Sequence, residues 1–128
     1  MSVLLDTHAF LWWVEGAPRF SKSVLELVQE PDTLCLLSVC SCWEMAIKAG
    51  LGKLRLASPV REYVPRHLAA NNFKLCPISF QHAVRVERLE WHHRDPFDRL
   101  LAAQALEGKM TLVSRDSIFD AYGVRRVW

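Results

Sequence analysis

Ser2-Val3-Leu4-Leu5-Asp6-Thr7-His8 decides the fold. A short apolar run ends at a carboxylate, and a helical segment, Ala9 to Val14, follows at once. A run of this length with a helix behind it reads as a buried strand feeding a helix. An acid at the carboxyl end of such a strand is costly unless it has a partner. It can cap the helix that follows, but Thr7 can cap equally well, which leaves Asp6 free for a ligand.

The same grammar repeats along the chain. Thr33 to Leu37 is apolar on both faces, as a central parallel strand is. Lys74 to Ile78, Met110 to Val113 and Val124 to Val127 are further strand-length runs. Helices fall between them. One is capped by Ser21 and ended by Pro31-Asp32; Val24, Leu25, Leu27 and Val28 make its apolar stripe. Ser38 to Ala49 is the next, stopped by Gly50. Then come Pro59 to Ala70, which Pro65 should kink or divide, a helix from Ser79 to Leu89, and one opened by Asp95-Pro96 and closed near Gly108. Alternating strands and helices predict an α/β fold, a parallel sheet of about four to five strands covered on both faces. With 128 residues, no repeat and no linker, residues 1–128 form a single domain.

Composition narrows the class. Hydrophobic residues make up 51% and charged residues 23%, which suits a globular chain and not a disordered one. No stretch approaches a membrane span and no export signal is visible, so a cytoplasmic protein is expected. Cys35, Cys40, Cys42 and Cys76 contain no C-x-x-C pair and read as reduced, mostly buried thiols. The five histidines show no zinc-like spacing. Sixteen Lys and Arg face 14 Asp and Glu, so withdrawing several acids into a site leaves a modestly basic surface, the right sign for a polyanion.

Four acids sit at element boundaries: Asp6, Glu44, Asp98 and Asp116. Asp116 follows its strand much as Asp6 does. Ser41 and Glu44 fit a capping box; if the helix begins at Ser38 instead, Glu44 falls in its second turn and can project into a cleft beside Trp43. Asp95 makes a good N-cap with Pro96 at the first helical position, and Asp98 lies one turn inside. Each acid alone has a structural explanation. One divalent metal cleft explains all four together, because gathered carboxylates need a cation between them. Metal-assisted phosphodiester hydrolysis is the chemistry such a cleft most often serves. Lys48, Lys53, Arg94, Arg99 and Arg115 are candidate substrate contacts by nearness in sequence to the acids. Trp12 and Trp13, about 100° apart on one helix, cannot both point into the same core; one is expected to pack inside and the other to line a partner surface, a dimer contact or an antitoxin groove, the alternative being a wide core face.

Four blocks, in order over nearly the whole chain, resemble the PIN-domain ribonucleases, and among them the VapC-type toxins of bacterial toxin–antitoxin pairs. They are Leu4-Leu5-Asp6-Thr7-His8 with Leu11-Trp12; Ser41-Cys42-Trp43-Glu44-Met45-Ala46-Ile47-Lys48 running into Leu51-Gly52-Lys53-Leu54; His93-Arg94-Asp95-Pro96-Phe97-Asp98-Arg99-Leu100-Leu101-Ala102-Ala103-Gln104-Ala105; and Leu112-Val113-Ser114-Arg115-Asp116 with Phe119 and Tyr122-Gly123-Val124. The resemblance implies a three-layer α/β/α fold, an RNA substrate, Mg²⁺ with Mn²⁺ able to substitute, a homodimer, and inhibition by a cognate antitoxin. It implies that Asp6, Glu44, Asp98 and Asp116 form the acidic quartet, with Asp95 an additional acid in this subgroup. It also implies products bearing a 5′-phosphate and a 3′-hydroxyl, as water attack gives. Two other classes compete. A phosphoacceptor or Asp-x-Asp phosphatase fails because His8 stands where a second acid is needed. A non-catalytic RNA-binding or assembly module of the same fold remains open.

Overall fold

In a computed structural model describing all residues from Met1 to Trp128, five parallel strands form one sheet in the order β3-β2-β1-β4-β5. The elements run β1 (Ser2–Leu5), α1 (Thr7–Val14), α2 (Lys22–Gln29), β2 (Leu34–Ser38), α3 (Val39–Gly50), α4 (Val60–Asn71), β3 (Lys74–Cys76), α5 (Phe80–Arg85), α6 (Pro96–Glu107), β4 (Thr111–Val113) and β5 (Arg126–Val127). Two short 3₁₀ turns, Val86–Arg88 and Ser117–Tyr122, follow α5 and β4.

The period-2 alternation of β1 separates the two faces of the sheet. Val3 and Leu5 join a core that includes Phe10, Val24, Val28, Met45, Tyr63 and Leu68 from α1 to α4. Leu4 points the other way, into a smaller core with Leu101, Ala102 and Ala105 of α6, and with Leu112 and Phe119. Val3, Leu4 and Leu5 are all fully buried. At roughly 1.5–3 kcal/mol for each large apolar side chain, this one strand anchors both layers of the α/β/α sandwich.

Pro65 does not divide α4, which is continuous from Val60 to Asn71. Pro65 and Arg61, the residue whose carbonyl it leaves without an intrahelical donor, are both exposed, so water can take that bond. The segment expected as one helix from Ser79 to Leu89 tightens into a 3₁₀ turn after Arg85. All four cysteines are free thiols, and three of them are buried.

The strand order sets the position of the site. From β1 the chain moves through β2 to β3, then crosses back to lay β4 on the other side of β1. The connections diverge beyond the carboxyl ends of β1 and β4, which is where an open α/β sheet leaves a crevice.

Candidate functional site

The register explains why polar groups collect there. Leu5 pairs with Leu37 on one side and Val113 on the other. One step further along lie Asp6, Ser38 and Ser114, all buried although polar. The Asp6 amide donates to the Val113 carbonyl at 3.1 Å, extending the ladder to the edge of the cleft.

Asp6, Glu44, Asp98 and Asp116 line a single cavity of about 260 Å³, together with Thr7, His8, Lys48, His93, Asp95 and Phe119. The four acids come from four separate segments: the end of β1, the second turn of α3, the first turn of α6 and the turn after β4. Asp6 and Asp116 thus lie at the same end of the sheet.

Asp6, not Thr7, caps α1: its Oδ1 accepts the Ala9 amide at 2.7 Å. Thr7 is turned inward, with its hydroxyl 2.9 Å from the Ser41 Oγ and 2.7 Å from Glu44 Oε1. A hydroxyl has one proton, and a carboxylate can only accept, so Thr7 donates to Glu44 and takes the Ser41 proton. The capping box at Ser41 does not form. Ser38 caps α3 through the Cys40 amide, because the chain enters the helix directly from β2. Glu44 accordingly sits in the second turn and reaches the cleft, where Lys48 Nζ donates to its Oε2 at 2.6 Å. Trp43 packs against Phe97 on the outside.

Asp95 Oδ1 caps α6 by accepting the amides of Phe97 and Asp98. Asp98 Oδ2 lies 2.8 Å from His93 Nε2. Asp116 caps the following turn, its Oδ1 accepting the Ile118 amide, while its own amide donates to the Ser114 hydroxyl.

The electrostatics are those of acids short of positive charge. Burial raises the pKa of Asp6, and the Ser114 hydroxyl and Ala9 amide only partly offset it. Burial, then the neighbouring Asp95 carboxylate, pushes Asp98 up to about 6, although His93 pulls the other way. Even the Cys40 thiol, buried beside Glu44, Asp95 and Asp98, is pushed up to about 12. Ligand atoms of His93, Asp98 and Asp116 lie within 4.8 Å of one another, close enough for small side-chain adjustments to bring them onto one ion. The donors around the cavity are mainly hard oxygens, which suit Mg²⁺ or Mn²⁺ better than softer metals.

The basic candidates divide. Lys48 lines the cavity. Arg115 lines an adjoining depression with Asp6 and Asp116. Arg94 is exposed on the loop beside His93, and Lys53 is exposed without lining either hollow. Arg99 is a correction. Only 4% exposed, its guanidinium donates to the carbonyls of Val86, Leu89 and Glu90 and to the Tyr122 hydroxyl, with the Trp91 ring 4.1 Å away. It fastens the loop carrying His93 onto α6, with both terminal nitrogens committed to protein acceptors. Sequence reasoning also passed over Thr7, Ser41 and His93 as contributors. The signal for His93 was its place in the His93-Arg94-Asp95-Pro96-Phe97-Asp98 block; the inward turn of Thr7 became visible only once Asp6 proved to be the cap.

Comparisons with known proteins agree with this architecture. Ribonuclease VapC22 of Mycobacterium tuberculosis (strain ATCC 25618 / H37Rv) is 29% identical over 116 residues, covering 90% of this chain and 87% of that protein. The crystal structure of VapBC2 from Rickettsia felis, bound to a DNA fragment from their promoter, superposes with a TM-score of 0.75 at 16% identity, over 99% of this chain and 98% of that one. VapBC-1 from nontypeable Haemophilus influenzae gives 0.70 at 16% identity, over 99% and 97%. At those identities the structural likenesses speak for the fold alone. The family model for the PIN domain matches residues 3–124, nearly the whole length, and this chain belongs to the PIN-domain family.

Proposed function

We propose that this protein is a divalent-metal-dependent endoribonuclease and the toxin of a toxin–antitoxin pair, held in check by a cognate antitoxin. One observation carries it: four carboxylates far apart in sequence line one small cavity at the crossover point of the sheet. The relative VapC22 is named a ribonuclease, and the solved neighbours named VapBC support an antitoxin partner.

Asp6, Asp98 and Asp116 are the groups to hold the ion, with Glu44 acting at the rim through water. When bound, Mg²⁺ or Mn²⁺ would lower the pKa of a water, so that loss of its proton to solvent gives a nucleophile for phosphorus, and would supply charge to balance the phosphoryl oxygens. The protein's own contribution is positioning. Ala9 and Ser114 fix Asp6, Thr7 and Lys48 fix the two oxygens of Glu44, and His93 holds Asp98. Asp95 serves α6 as its cap and stands beside the ion site without a direct bond to it. Lys48, Arg94 and Arg115 are the cations available to the RNA backbone; as point charges or forks on phosphate they position without reading sequence.

No helix is long and apolar enough to cross a membrane, and free thiols suit the reducing cytoplasm in which RNA would be met. Two exposed apolar surfaces are available to a second copy and to an antitoxin. Val39, Trp43, Ile47 and Leu51 recur every four residues from α3 onward, and Leu75, Ile78, Phe80 and Val84 cluster from β3 to α5.

The test is cleavage of a mixed RNA pool by the purified protein with Mn²⁺, beside the Asp6→Asn variant. Asparagine keeps an oxygen for the Ala9 amide, so the metal-free variant should melt no lower than wild type while cleavage is abolished. Full activity in the variant overturns the assignment. A wild-type protein that neither binds Mn²⁺ nor cuts RNA is the non-catalytic module instead.

A further inference from the structure

Beside the acidic cavity lies a second depression of about 320 Å³, lined by Asp6, His8, Trp12, Arg115 and Asp116. Asp6, His8 and Asp116 line both hollows, so the two are contiguous. The volume lies at the lower end of the range for small-ligand pockets.

Trp12 forms its apolar wall, and core packing does not account for that residue. The adjacent Trp13 packs against the larger core, meets Phe20 edge-on and Phe73 at a tilt, and donates its indole N–H to Asn71. Trp12 belongs to neither core cluster. Its indole is nevertheless held in place. Trp128 meets it edge-on at 5.7 Å, the His8 ring lies tilted at 5.6 Å, and the Arg19 guanidinium sits 4.7 Å from the ring centre. His8 is exposed and free to move aside or to join a stack. Arg115, which also lines the depression, is exposed and takes part in none of the six ion pairs.

We propose that this depression is a nucleobase subsite, in which an unpaired base next to the scissile phosphate stacks against Trp12 and His8 while Arg115 meets the adjoining phosphate. This deepens the ribonuclease reading and rests on it. The chemistry of the walls selects the ligand. A base is planar and uncharged, so it can stand beside Asp6 and Asp116 where an anionic group would be repelled. Its π-face matches an indole and an imidazole. Bases inside a duplex have both faces covered, so only a single-stranded or looped-out nucleotide can enter. Stacking tolerates any base, which makes the subsite a reader of strandedness before sequence.

The experiment is a binding cycle, read by fluorescence anisotropy in Ca²⁺. The probes are a short single-stranded RNA, the same sequence as a duplex, and the same backbone carrying abasic sugars. Trp12→Ala should weaken binding of the single strand by roughly 5- to 150-fold, the range for loss of one base–aromatic stack. Trp12→Phe should lose much less. The abasic backbone should bind wild type and Trp12→Ala alike, whereas Arg115→Ala should weaken both RNAs equally. An equal loss on the abasic backbone overturns the inference. So does unchanged RNA binding by Trp12→Ala, which would leave the pocket to a protein segment, and so does wild type that fails to bind the single strand. If Trp12→Ala does not fold, wild type alone decides, because equal affinity for RNA and abasic backbone refutes stacking. Cleavage is scored separately with Mn²⁺, so an inactive protein that still shows the cycle sinks the nuclease reading and spares the subsite.

Discussion

Replacing Asp98 by asparagine should stabilise the metal-free protein. The carboxylate is pushed from 3.8 to about 6, chiefly by burial and then by Asp95, and its side chain is only 23% exposed. At 1.36 kcal/mol per pKa unit, that displacement corresponds to roughly 3 kcal/mol held against folding. The sign follows from proton linkage: a folded state with the higher pKa binds the proton more tightly than the unfolded chain. Its penalty is therefore full above about pH 6 and fades as the pH falls toward 3.8. The substituted amide carries no charge at any pH. In EDTA at pH 7.5 the variant should melt roughly 10 °C higher, given a few degrees per kcal/mol for a chain of this size, and the two curves should converge near pH 4. Saturating Mn²⁺ should reverse the order. At a thousand times its Kd the ion adds about 4.1 kcal/mol to wild type, more than the roughly 3 kcal/mol at stake, and far less to a variant lacking a ligand. Thermal denaturation across pH, with and without Mn²⁺, measures all of this. A variant no more stable than wild type in EDTA at pH 7.5 refutes the desolvation argument. An equal gain from Mn²⁺ in both proteins refutes Asp98 as a ligand.

Because protons compete for the same oxygens, the apparent Mn²⁺ Kd should weaken by up to about tenfold per pH unit below about 6; a calorimetric titration flat from pH 5 to 7 would contradict this. Thr7→Val keeps the shape but leaves Glu44 Oε1 without its donor. It should lower kcat about tenfold at a stability cost of about 1–2 kcal/mol, and an unchanged kcat would remove Glu44 orientation from the mechanism. Arg99→Ala strips the donors from three backbone carbonyls and should cost about 3 kcal/mol or more in urea unfolding. Arg99→Lys should not rescue it, since one ammonium cannot span that fan of acceptors; full rescue would show that charge alone matters there.

What the sequence disclosed and what it hid divide along a physical line. The strands were legible because a parallel sheet buried on both faces demands unbroken apolar runs, and Leu4-Leu5 or Leu112-Val113 have no other use. The acids were legible because each sits where such a run stops. Local hydrogen bonding was not, because it turns on one torsion at the first residue of a helix. Asp6 and Thr7 are both good caps, as are Ser38 and Ser41, and only the entry angle of the chain chooses between them. In each pair the loser, Thr7 or Ser41, turned inward and became part of the support for Glu44. Arg99 was misjudged for a different reason. Nearness in sequence to Asp98 suggested a shared face, but neighbours on a helix point about 100° apart, and the loop that Arg99 gathers comes from 9 to 13 residues away.

The central position of β1 makes the two halves of the acidic cleft unequal in their dynamics. Asp6 grows from a strand hydrogen-bonded on both flanks, so its backbone should be freed only when the molecule unfolds globally. Asp116 hangs from a turn leading to a two-residue edge strand, a segment that can fray alone. Amide exchange should show a steep gradient across the cleft, slow at Leu4 and Leu5 and fast beyond Ser114. Any inhibitor that works by prying the carboxylates apart would find its purchase on the Asp116 side.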